Sequence, residues 1–152
     1  MLKKIFIVLY FCLFVTSCGY EPMYNKNNDI NFNFKKITIE GDNDLKNLIE
    51  YYLKRYNNEN SEKEVIVDAT IIYEKISQTK NIVGETTDYL LVTEVEFEIL
   101  SNNVKKTIII KEDFVMKNLE REFEEKNYER TIKQNFAYSI VNKFILRLSI
   151  KE

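Results

Sequence analysis

The chain has 152 residues, a formal net charge of −2, no histidine, one proline, and glycine only at positions 19, 41 and 84. Without histidine there is no His-based triad, no ordinary proton shuttle near neutral pH and almost no route to a zinc site. So few glycines exclude a glycine-rich phosphate loop, and the near-balanced charge gives no basic field to hold a nucleic-acid backbone.

The chain opens on Lys3 and Lys4, followed by an uncharged run of eleven residues from Ile5 to Val15 and then by Thr16-Ser17-Cys18. Eleven residues are too few for a bilayer core of ~30 Å, which needs ~20 apolar residues. A positive start, a short apolar run and small residues before a break have the pattern of an export signal. Val15-Thr16-Ser17-Cys18 has the ending of a bacterial lipoprotein signal. Residues 1–17 are therefore expected to be removed, leaving Cys18 with lipid on its sulfur and its amino group. Each buried methylene contributes ~0.8 kcal/mol, and more than one acyl chain makes anchoring stable. The rival readings are an ordinary signal peptide that ends beside a cysteine and an uncleaved membrane anchor. Cys12 leaves with the signal, so the folded domain is expected to have no disulfide. Its stability then rests on packing, to which ten Tyr and ten Phe contribute.

Residues 18–33 hold Pro22 and an Asn-rich stretch and read as a lipidated tether; residues 34–152 form the domain. Phe34 to Glu40 alternates as a first strand. Gly41-Asp42 breaks it, and Asp42 or Asn43 can cap a helix over 44–56. In that helix Leu45, Leu48, Ile49, Tyr52, Leu53 and Tyr56 make one apolar stripe. Glu64 to Ile76 is a second strand with Val65, Val67, Ala69, Ile71 and Tyr73 on one face. A loop over 77–86 leads to a third strand, Thr87 to Leu100, with Tyr89, Leu91, Val95, Phe97 and Ile99 on one face and Glu94, Glu96 and Glu98 on the other. Asn102-Asn103 suits a two-residue hairpin turn, because Asn tolerates the positive φ such turns need. This turn places Phe97 opposite Ile108, Val95 opposite Ile110, Leu91 opposite Phe114 and Glu94 opposite Lys111. The fourth strand is Val104 to Met116. After the acidic stretch Glu120, Glu122, Glu124 and Glu125, a helix over 128–148 carries Ile132, Phe136, Ile140 and Phe144 at four-residue spacing.

The order β-α-β-β-β-α predicts an α+β two-layer sandwich: a four-stranded mixed sheet, first pair parallel, with two helices on one face. The opposite face would carry Ile66, Ile72, Ile76, Leu90, Val92, Ile109 and Val115. An antiparallel sheet with one wet face should be more polar there. A large apolar patch usually marks a partner surface; strand propensity with a compositional bias toward Ile explains it equally well. Glu94, Glu96 and Glu98 could serve acid–base chemistry or Ca²⁺, but they lack a companion Asp/Gly-rich loop and read better as a solvated face paired with Lys111. No catalytic residue, metal site or cofactor is expected.

The segment Cys18-Gly19-Tyr20-Glu21-Pro22-Met23-Tyr24 resembles the Cys-Gly-aromatic-x-Pro-Leu-Tyr start of the LPS-assembly lipoprotein LptE family, especially its alphaproteobacterial branch. Met23 replaces the usual Leu. The stretch Ile82 to Leu100 and the helix ending Ile140-Val141 … Leu146-Arg147-Leu148 are similar in kind, although the last helix here is Asn-, Lys- and Tyr-rich rather than Ala- and Arg-rich. The resemblance implies a lipoprotein on the periplasmic face of the outer membrane that plugs an LptD-type β-barrel and assists lipopolysaccharide transport to the outer leaflet. Gly19 after the lipidated cysteine fits outer-membrane sorting. Lys80, Lys105 and Lys106 are then candidates for lipopolysaccharide phosphates, against the plainer reading of a soluble hairpin. Another periplasmic lipoprotein binding module, a barrel-assembly accessory or an inhibitor-type domain, remains the alternative, with a carboxylate-based hydrolase a distant third.

Overall fold

The structure, a computed structural model, describes residues 32–150; the signal segment, Cys18, Gly19 and the tether up to 31 lie outside the described residues. The elements run β1 (Asn33–Glu40), α1 (Asn43–Lys54), β2 (Glu64–Lys80), β3 (Thr86–Ser101), β4 (Val104–Lys117) and α2 (Glu122–Ser149). The four strands form one sheet in the order β1-β2-β3-β4. β1 and β2 are parallel, and the other two pairs are antiparallel. This is the expected α+β layout.

The β3–β4 register is the one that Asn102-Asn103 dictates. Both residues take positive φ, 48° and 63°, and Phe97 pairs with Ile108, Val95 with Ile110, Glu94 with Lys111 and Leu91 with Phe114. Asp42 caps α1, its side chain accepting from the Leu45 N–H at 3.0 Å. Gly41, at φ 118°, passes so close to β2 that a Cβ would stand 2.2 Å from the Ile71 carbonyl oxygen. Glycine at this position both takes the positive φ and admits the close approach that lets the chain leave the sheet for α1.

Both helices cover the same sheet face. Leu45, Ile49 and Leu53 of α1 and Ile132, Phe136, Ile140 and Phe144 of α2 are buried with Val65, Val67, Leu91, Val95, Phe97, Ile108 and Ile110 of the sheet in one core. Phe97 stacks on Phe144 with ring centroids 4.2 Å apart.

Three elements differ from expectation. Phe32 and Asn33, placed in the tether, are buried, and Asn33 begins β1. β2 runs on to Lys80 and β3 starts at Thr86, so the expected loop over 77–86 shrinks to residues 81–85. The polar Ser77 to Lys80 continues the ladder because β3 supplies its hydrogen bonds. α2 starts at Glu122, six residues before the expected Tyr128. Its first turn holds Glu122, Glu124 and Glu125, where carboxylates meet the positive end of the helix dipole.

Candidate functional site

β1 pairs only with the first half of β2, ending at Glu40–Thr70. Beyond it β2, β3 and β4 project as a three-stranded extension that ends at residues 81–85. α2 reaches this end of the sheet on the core side through a polar cluster. The Tyr73 hydroxyl donates to Glu129 at 2.7 Å, and the Lys75 ammonium donates to Glu125 at 2.6 Å and to Glu129 at 3.0 Å. Lys133, buried, donates to Asp42 at 2.8 Å and lies over the Tyr73 ring at 4.2 Å. Every charge here has a partner on another element, so the cluster fastens α2 to the sheet and to the start of α1.

The cluster also sets the pH dependence of folding. Burial pushes the carboxyls of Asp42 and Glu129 up, but hydrogen bonds from Lys133 and the Leu45 N–H to Asp42, and from Tyr73 and Lys75 to Glu129, leave both below their ordinary values of 3.8 and 4.5. Depressed carboxyls stabilise the fold fully above the unfolded value, and the contribution is lost as pH falls through the folded one. Tyr73 is raised by burial and by the Glu129 bond. Burial works against the charge on Lys75, but Glu125 and Glu129 raise it above its ordinary value. The contributions of Tyr73 and Lys75 are complete below the unfolded values of 10.0 and 10.5 and are lost as pH rises through the folded ones. Urea midpoints should therefore be flat around neutrality, fall below about pH 4 and fall again above about pH 10. Asp42→Asn should lower the neutral midpoint and shallow the acid limb; an unchanged acid limb would contradict this role.

The opposite sheet face has no helix over it among the described residues. The register divides the seven residues singled out in sequence. Ile76, Leu90 and Val115 form one row straight across three strands, with Val92 in the next row and Ile72 diagonal to it. Ile72 is 55 % exposed and Val115 49 %. Ile109 lies one row past Ile72 and is separated from it by Glu94 and Glu96 of β3, and Ile66 pairs with Leu100 at the far end of the sheet. Ten residues of β2 separate Ile66 from Ile76, about 33 Å of strand. Between the two ends Glu94, Glu96 and Glu98 line the face, and Glu94 pairs with Lys111 at 2.6 Å. The patch is thus an apolar end, not an apolar face.

Sequence reasoning missed how this end continues. Ile82 and Val83 stand at the tip of the β2–β3 hairpin, Val83 72 % exposed and Ile82 fully so. The turn is built: Asn81 Oδ1 accepts from the N–H groups of Val83 at 3.1 Å and Glu85 at 2.9 Å. The Asn81 side-chain amide donates to the Glu85 carboxylate at 2.9 Å. The adjacent Ile-Val-Gly after an Asn was the available signal.

The three lysines do not form one site. Lys80 is the last residue of β2, not a loop residue, and lies at the hairpin end. Lys105 and Lys106 lie at the other end, beside Ile66 and Leu100 in a shallow groove of about 250 Å³. Asp68 and Glu98 line the same groove, so two carboxylates offset two ammonium groups there.

Among the described residues no group of His, Cys, Asp and Glu side chains is arranged to hold a metal ion, and no helix is long and apolar enough to cross a membrane.

The chain matches no protein-family model and no curated protein. Solved structures do match. The rare lipoprotein B of Shewanella oneidensis superposes with a TM-score of 0.52 at 13 % identity, over 72 % of this chain and 92 % of that one. The chain shares the fold of that lipoprotein. An uncharacterized lipoprotein B of Nitrosomonas europaea gives 0.55 at 17 % identity over 79 % and 85 %, and a putative lipoprotein of Caulobacter crescentus 0.50 at 8 % over 74 % and 85 %. At these identities the likeness is one of fold.

Proposed function

We propose that this chain is an outer-membrane lipoprotein, anchored on the periplasmic face through Cys18, whose folded domain docks in an LptD-type β-barrel as a plug and assists transport of lipopolysaccharide. It performs no catalysis. The observation that carries the reading is the apolar hairpin end: Ile76, Leu90 and Val115 in one row, with Ile72 and Val92 beside them and the exposed, hydrogen-bonded Ile82-Val83 turn beyond. An exposed apolar row of this kind, continued by an apolar tip, supports a partner surface. The fold shared with solved lipoproteins and the resemblance of Cys18-Gly19-Tyr20-Glu21-Pro22-Met23-Tyr24 to the LptE-family start support this compartment and this partner. In this reading Gly19 directs sorting, and Lys80, the last residue of β2 at the hairpin end, would meet phosphate there.

Purification of the full chain from its own cell membranes tests this. The intact mass should exceed that of residues 18–152 by a diacylglycerol and an acyl chain, and an LptD-type barrel should co-purify in equal amount. An unmodified N-terminus at another residue would remove the anchor, and a pure preparation without any barrel would remove the partner.

A further inference from the structure

At the other end of the molecule, between the C-terminal end of α1 and the second half of α2, lies a cavity of about 460 Å³. That is within the size range of small-molecule sites. Tyr52, Arg55 and Tyr56 line it from the α1 side, Tyr138 and Asn142 from α2, and Asn57 with Asn58 from the connection to β2.

The hydrogen bonds leave this cavity rich in donors. Asn57 Oδ1 accepts from the Phe34 N–H at 2.7 Å, and Asn58 Oδ1 accepts from the Asn60 N–H at 3.0 Å. Asn142 Oδ1 accepts from the Tyr56 hydroxyl at 2.7 Å. A side-chain amide has one oxygen and two N–H groups. With their oxygens engaged inside the fold, Asn57 and Asn142 have N–H groups to offer a ligand. Arg55 adds a guanidinium, and among the described residues no hydrogen bond or ion pair engages it. It is the one charged side chain in the lining, and its charge is felt inside: burial and Tyr138 push the Tyr56 hydroxyl up while Arg55 pulls it down. A cation at the last turn of α1 also suits the helix dipole, but the dipole does not require three amides and three phenols around it. The rings supply the remaining contact. Tyr138 is half exposed and held edge-on to Tyr52, with centroids 5.7 Å apart.

We infer that this cavity binds a sugar acid: a pyranose ring against Tyr138 and Tyr52, its carboxylate on Arg55 and its ring substituents on the amides of Asn57 and Asn142. Guanidinium and carboxylate match as planar forks. A single positive charge balances a carboxylate, whereas a phosphate at −1.5 to −2 would keep part of its charge unpaired. A purely apolar ligand would take the N–H groups of Asn57 and Asn142 out of water without giving them acceptors. The inference does not rest on the barrel partnership, because the cavity and the hairpin lie at opposite ends of the sheet.

The test uses the mature lipoprotein in detergent, with ¹³C-labelled tyrosine rings read by NMR. N-acetylmuramic acid and N-acetylglucosamine share a ring and differ by the lactyl carboxylate. The acid should shift the Tyr52 and Tyr138 signals saturably and bind about tenfold more tightly than the neutral sugar, because a charged hydrogen bond is worth at least that factor. Arg55→Gln, at an exposed position, should remove the preference, and Tyr138→Ala should weaken both sugars; circular dichroism verifies folding, and barrel co-purification by Arg55→Gln should be unchanged. Equal affinity for the two sugars, an undiminished preference in Arg55→Gln, or acetate alone reproducing the shifts would overturn the inference, as would the absence of any shift.

Discussion

Phe97→Ala should lower the free energy of unfolding by about 3–5 kcal/mol, the cost of truncating a fully buried phenylalanine. Phe97 has no exposed surface, and its ring lies 4.2 Å from that of Phe144. The substitution removes the central contact between β3 and α2, and α2 is too polar along its first turns to replace it by sliding. Small domains hold only ~5–15 kcal/mol in total, so the variant should unfold at much lower urea. Glu96→Ala, one residue along the strand on the solvated face, should change stability by no more than about 0.5 kcal/mol. Equal losses in the two variants would mean that the sheet does not present Phe97 to the helices.

Charge at the hairpin end should break the proposed barrel complex. Ile72→Glu and Val115→Glu each place a carboxylate at a half-exposed position, where the free domain can keep it in water. In the docked state the carboxylate would be buried without a partner. The desolvation penalty is several kcal/mol per ion, roughly a hundredfold or more in Kd. Ile109→Glu provides the comparison: Ile109 is six residues from Val115 along β4, about 20 Å, and stands beside Glu96. It should weaken the complex far less. Equal weakening by all three would extend the docking surface over the whole open face, and no weakening by any would remove that face from the interface.

What could be read from sequence was whatever a local rule fixes. Two adjacent asparagines at a strand break admit one turn, and that turn set the whole β3–β4 register. The period-two and four-residue patterns set both core faces, because burial at Val95, Phe97, Ile132 and Phe136 demands apolar side chains. The start of α2 was not legible. Its first turn packs nothing into the core, Phe123 is exposed, and no apolar stripe marks a helix there. The extension of β2 past Ile76 was hidden in the same way, since Ser77 to Lys80 has no buried face to impose alternation. The hairpin patch was legible as a list of residues but not as a shape. Ile109 and Ile66 share a face with Val115, but only the register shows that Ile76, Leu90 and Val115 of three strands meet in one row. The Lys133–Asp42 pair and the Tyr-Asn-Arg cavity join residues some ninety positions apart, and no local pattern announces them.

Site-specific photo-crosslinking in living cells tests the central claim most directly. A photoreactive residue at Val92, in the middle of the apolar hairpin end, should give a crosslinked product containing the LptD-type barrel, and one at Leu146, exposed on the outer side of α2, should give less. Val92 crosslinking to no barrel, while the protein remains folded and lipidated at Cys18, would contradict the account.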